Sequence, residues 1–234
     1  MTITETFQVP AIPTITLDLY RDVHKGIRTQ LFDLVATAGR TDPSDCVARR
    51  SLADSVGTAM AFLESHAEHE DTAIDPVLQV HLPELAERIT RDHALFDGRA
   101  AYLVDFAEHL VEDVPGHERS LLNQLYLDLA AFTSAYLVHQ GVEEREIMPG
   151  LEAAIGVEAV AGIHGQILSS IPPDEMARSL ALMLPAMNLD ERSELLGGMR
   201  ANAPVEAFQG VWGLAGSVLT TEDHAALARR LDLV

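Results

Sequence analysis

Little in this chain can cross-link it or carry it through a membrane. One cysteine, Cys46, stands among 234 residues, which excludes an internal disulfide framework and a thiolate zinc cluster. The longest apolar run, Leu180 to Met187, is far shorter than the roughly 20 residues of a membrane span. The opening MTITETFQVPAIPTIT lacks a basic start and an apolar stretch, so no secretory signal is expected there. Basic residues are scarce, 16 against 36 acidic ones, for a formal charge of -20. Such a surface repels phosphate backbones and anionic lipid, so neither nucleic acid nor a membrane is expected as a partner. The expectation is a soluble protein of a reducing cytoplasm. Aromatic and β-branched residues are sparse while Ala, Leu and Glu abound, which favours helix over strand.

Hydrophobic residues make up 47% of the chain, enough for a sizeable core. Proline is missing from four windows, 14–42, 44–75, 84–114 and 116–148, each long enough for a helix of about 20–30 residues. Every window carries one apolar stripe at alternating three- and four-residue spacing, such as Leu122, Leu125, Leu129, Phe132 and Tyr136 in the last. Short connections between such helices predict an all-α, up-down-up-down four-helix bundle. Beyond Pro149 the prolines crowd closer, and shorter helices follow; Asn188 with Glu191 reads as a capping box. The reading is an N-terminal arm over 1–15, a bundle over 16–150 and a C-terminal appendage of short helices over 151–234.

Ten histidines in so acidic a chain need explaining. Six ionisable residues interrupt the apolar stripes: His24, His66, Glu70, His93, His139 and Glu143. Isolated charges inside a bundle are expensive, so such groups are normally paired, hydrogen-bonded or bound to metal. With helices from 16, to 75, from 83 and to 148, the four histidines lie eight to ten residues from one end of the bundle, which predicts a single layer. An internal repeat agrees: HAEHEDTAIDP from His66 and HQGVEEREIMP from His139 share His-x3-Glu-acid-x4-Pro, and each follows a lone histidine. Residues four apart share a helix face. Four imidazoles and two carboxylates able to bridge suit a pair of transition-metal ions, with iron the best match.

The segments DVHKGI, HAEHED, RDHALF and HQGVEEREIMP together resemble the hemerythrin-like (HHE cation-binding) family over roughly residues 16–150. The resemblance implies a four-helix bundle around two iron ions in an oxo- or hydroxo-bridged centre. His24, His66, His93 and His139 would be terminal ligands, and Glu70 and Glu143 would bridge. Oxygen-carrying members are similar but place a fifth histidine where this chain has Asp97. The resemblance implies a protein that binds or reacts with a small oxidant, O2, peroxide or NO. Asp97 makes reversible O2 carriage less secure and reaction with peroxide or NO more plausible, without choosing among them. The alternative is a metal- or O2-responsive sensor or iron-handling module without turnover. Beside the six, His69 is a flank position that could still ligate or donate, and Asp71 and Glu144 are either orienters of a histidine or solvated acids. Tyr20 and Tyr136, one turn from His24 and His139, are either core residues or donors to a bound oxygen species. His81, His109, His117, His164 and His224 read as surface residues. The appendage, or residues 1–15, is expected to cover part of the mouth of the site.

Overall fold

Residues 14–112 and 116–233 of a computed structural model are described, and they form helices and connecting turns with no β-strand among them. Four long helices make the bundle: α1 (Arg21–Arg40), α2 (Cys46–Ala73), α4 (Pro83–His109) and α5 (Glu118–Val142), with a short α3 (Asp75–His81) between the second and third. Asp45 starts α2 by accepting from the backbone N–H groups of Val47 and Ala48. The expected stripes turn inward, and Ile27, Leu31, Val56, Leu103, Leu125 and Leu129 form part of one buried cluster. α1 packs on α2 and α5, and α4 completes the ring by packing on both of those helices. Neighbours run antiparallel. Arg49 near the start of α2 donates to the Leu110 carbonyl at the end of α4 at 2.8 Å, and Gly39 near the end of α1 faces Tyr126 near the start of α5.

The first helix begins at Arg21, not at 16. The Glu152 carboxylate accepts from Thr16 N at 2.8 Å and Leu17 N at 3.3 Å. Asp18 Oδ1 accepts from Tyr20 N and Arg21 N at 3.0 Å each. These acceptors hold 16–20 as a turn, because short polar side chains compete with the helix for backbone donors. His24 therefore falls in the first turn of α1, while His93 sits in the third turn of α4. The histidines still share a layer, so cross-bundle register rather than equal depth brings them level.

The chain then continues as α6 (Met148–Ile155), α7 (Val157–Ser170), α8 (Pro173–Ala186), α9 (Leu189–Asn202), α10 (Val205–Val218) and α11 (Thr221–Arg230). The turn between α6 and α7 is made by Gly156 at φ +80, a conformation that side chains resist. The capping box of Asn188 and Glu191 forms as expected. α8 to α11 bury an apolar cluster of their own, centred on Leu184, Leu196, Ala215 and Leu227. α8 lies along α1, where Gly26 lets the Leu182 backbone approach. Lys25 and Arg21 reach Glu191 at 2.5 Å and Glu194 at 3.2 Å. Another cluster, including Tyr20, Ile74, Leu78, Met148, Leu151 and Val160, closes the end of the bundle. Among the described residues no single helix is long and apolar enough to cross a membrane.

The two glycines predict opposite outcomes. A Cβ on Gly26 would come within 3.3 Å of the Leu182 backbone, whereas one on Gly57 would meet nothing within 4 Å. Gly26→Leu should cost about 1–3 kcal/mol through overpacking, and Gly57→Ala should stabilise by roughly 0.5–1 kcal/mol through helix propensity. Urea unfolding midpoints measure both.

Candidate metal centre

The six residues anticipated from the stripes meet at one level of the bundle. On α2, His66 and Glu70 stand one turn apart with Nε2 and Oε1 at 3.0 Å. On α5 and the turn that continues it, His139 Nε2 and Glu143 Oε1 are also 3.0 Å apart. α1 and α4 add one histidine each. The carboxylates divide their oxygens. Glu70 turns Oε1 to His66 and Oε2 to His93, the latter at 3.4 Å. Glu143 turns Oε2 to His24 at 3.5 Å, and Oε1 to His139 and, at 3.8 Å, His93. Two halves result, His24 with His66 and His93 with His139, each facing one oxygen from each glutamate. Ring centroids within the halves are 5.3 and 5.0 Å apart.

The donor chemistry fits a cation. Nε2 of His24, His66 and His93, and all four oxygens of Glu70 and Glu143, are buried and make no hydrogen bond within the protein. Unsatisfied buried polar atoms are costly, and here they all point at one another. Burial disfavours charge on His93, but contacts with Glu143 and Glu70 outweigh it and push its pKa up to about 11. Burial opposes ionisation of Glu70 too, yet His66 and His93 hold its carboxyl well below the usual range. Neutral imidazoles and ionised carboxylates are the ligand forms that divalent metals require.

Outer carboxylates set the imidazoles. His93 Nδ1 lies 2.8 Å from Asp71, and His24 Nδ1 lies 3.0 Å from Glu144. A carboxylate at Nδ1 selects the Nδ1–H tautomer and leaves the Nε2 lone pair facing the centre. The arrangement is reciprocal: the acid following Glu70 serves the histidine of α4, and the acid following Glu143 serves that of α1. Burial would raise the Glu144 carboxyl, but hydrogen bonds from His24 and Arg28 outweigh it and hold it at about 2. Asp92 stands 3.5 Å from His139 Nδ1. Asp92 and Arg28 were not anticipated, since one-turn periodicity identifies seam positions but not which flank residue reaches across.

The repeat prolines act at the centre. Pro149 cannot donate to the helical ladder and its ring crowds the carbonyl four residues back. The chain answers with a π-helical turn over Glu143–Ile147, where Met148 N bonds to the Glu143 carbonyl. The equivalent Pro76 sits in the first turn of α3, after a break at Ile74. Glu143 thus opens the π turn, and Glu70 lies in the last turn of α2, just before its break.

Residues 16–151 match the family model of the hemerythrin HHE cation-binding domain. The chain belongs to the hemerythrin HHE family. No curated protein and no solved structure gives a significant match. Within the HHE domain, Asp97 does not join the six; it is exposed on the wall of a cavity of about 400 Å³ between α2 and α4 that reaches His93. His69 turns away as well, 3.8 Å from Glu175 of α8. His81, His109 and His117 are exposed as expected. His164 and His224 are partly buried in the appendage instead, His224 with its ring centroid 4.3 Å from that of Trp212.

The appendage packs over the bundle end where the mouth was expected, through Leu151, Val160 and Ile163, but not over the cavity that reaches His93. α8 packs against α1, α7 lies at the bundle end, and the cavity is lined by α2, α4 and α5. Most of the N-terminal arm, residues 1–13, lies outside the described residues.

Two outcomes are expected. Asp71→Asn and Glu144→Gln should each weaken metal affinity about 10–100-fold in chelator competition while leaving the helical circular-dichroism signal intact. Because contacts with Glu143 and Glu70 favour the doubly protonated His93, a metal bound at its Nε2 would displace a proton. Affinity should therefore rise about tenfold per pH unit for each proton displaced between pH 6 and 9, and calorimetry in buffers of different ionisation enthalpy should record the release.

Proposed function

We propose that the cluster is a non-haem di-iron centre at which a small oxidant, O2, peroxide or NO, binds or reacts. The division of the carboxylate oxygens carries this reading, since a single cation would leave one oxygen of each glutamate and two imidazoles without a partner. One iron would be held by His24 and His66 and the other by His93 and His139, with Glu70 and Glu143 bridging. Bound iron would supply a Lewis-acidic, redox-active position for the oxidant.

The chain's own groups do the rest. Asp71 and Glu144 hold two imidazoles in the ligating tautomer. Tyr20, Phe96 and Tyr136 stand against the histidine rings. Burial, reinforced by the charges of Glu70 and Glu143, keeps both phenols well above the usual tyrosine range, so each stays protonated and can donate a hydrogen bond. The proposed setting is a reducing cytoplasm, compatible with one free, exposed cysteine.

A second reading, sensing without turnover, draws on one observation. The appendage grips α1 through Arg21 and Lys25, on either side of His24 in sequence. Steady consumption of peroxide or NO supports reaction, and reversible spectra without turnover support sensing.

Iron analysis after iron-replete expression tests the centre itself. The wild type should hold about two irons per chain, His66→Ala about one, and Glu143→Ala fewer than one, because Glu143 faces both halves. Fewer than one iron in the wild type would overturn the proposal.

A further inference from the structure

We propose that the cavity between α2 and α4 is a binding pocket for an uncharged, mainly apolar organic molecule, delivered to the His93–His139 half of the cluster. The inference rests on the di-iron reading for what lies at its inner end. The cavity measures about 400 Å³, whereas about 150 Å³ is enough to hold benzene in a protein interior. A diatomic gas or hydrogen peroxide needs no such space.

Its inner wall is built from buried Met60, Leu63, Phe96, Phe132 and Tyr136. The space exists because Gly57, Ala61 and Ala101 leave the groove between the helices unfilled. Polar groups at the inner end are His93 and Tyr136, and neither His24 nor His66 lines the cavity. The outer edge carries three exposed carboxylic residues, Glu64, Asp97 and Asp105, with no lysine or arginine among the lining residues. Like-charge repulsion there disfavours carboxylates and phosphates, while the apolar wall favours an aromatic or branched aliphatic body. Of the six cluster residues His93 alone lines the cavity, so a ligand there would make the two proposed metal positions unequal. The residue at position 97 thus shapes the entrance to the pocket from outside the cluster.

The iron-loaded protein tests this with two probes of similar shape, neutral 2-phenyl-2-propanol and anionic 4-isopropylbenzoate, titrated by calorimetry. The alcohol should bind with a Kd below about 1 mM and the benzoate about tenfold or more weaker. Gly57→Leu, which places a side chain in open space, should weaken the alcohol about tenfold or more without changing iron content; Ala61→Leu is the parallel variant. The triple variant Glu64→Gln, Asp97→Asn, Asp105→Asn should narrow the gap between probes. No binding of the alcohol, equal binding of the two probes, or unchanged alcohol binding in both leucine variants overturns the proposal. Full iron without alcohol binding defeats this inference alone, whereas alcohol binding without iron defeats the di-iron reading alone.

Discussion

Two glutamates enclosed at the centre of a helical bundle, with no hydrogen-bond donor on any of their four oxygens, are the constraint on which the rest of the structure depends. Enclosing a carboxylate costs several kcal/mol even after relaxation, unless opposite charge meets it. Imidazole nitrogens stand around the pair, and outer carboxylates aim them. Apolar clusters lie on both sides of the layer, the bundle core toward one end and the Ile74–Met148 cluster toward the other. Burial lowers the effective dielectric, so charges inside act strongly on one another. A cation answers that field, and the same two carboxylates push the His93 pKa well above its ordinary value.

The centre is one design used twice. Each hairpin supplies a lone histidine, a His-x3-Glu pair and an acid that reaches to the other hairpin's lone histidine. This exchange ties the two hairpins at the layer. The symmetry then breaks in ways that bear on chemistry. Asp92 precedes His93 where Val23 precedes His24, and Asp97 follows one turn after His93 where Arg28 follows His24. The His93–His139 half has an acid near both of its Nδ1 atoms and a cavity beside it. The His24–His66 half has Glu144, shared with Arg28, and is overlaid by the appendage through α1.

Much of the layer was legible because a helix repeats every 3.6 residues: a histidine and a glutamate four apart in an apolar stripe share a face whatever the tertiary details. The family resemblance, the helical class and the meeting of all six groups followed from that spacing. Equal depth was the wrong reason for the layer, since Glu152 and Asp18 capture the backbone before Arg21 and shorten the first helix. Proline positions foretold interruptions but not their form, because Pro76 and Pro149 stand in the same motif and produce a helix break and a π turn. Asp71 and Glu144 were visible as neighbours of Glu70 and Glu143, yet their targets lie on other helices. Asp92, Arg28 and the pairing of His69 with Glu175 depend on helix rotation and on where α8 docks, which no local pattern encodes.

The appendage shows the same limit. Its capping signals could be read in advance, but its docking against α1, rather than over the cavity, depends on Gly26 admitting the backbone at Leu182. The central claim is that one pair of glutamates joins two metal positions. Anomalous X-ray scattering at the iron edge from crystals of the iron-loaded protein tests it most directly. The account predicts two peaks about 3.5–4 Å apart, one beside His24 and His66, the other beside His93 and His139, with Glu70 and Glu143 touching both. A single peak, or peaks held by His69 or Asp97 instead, would contradict it.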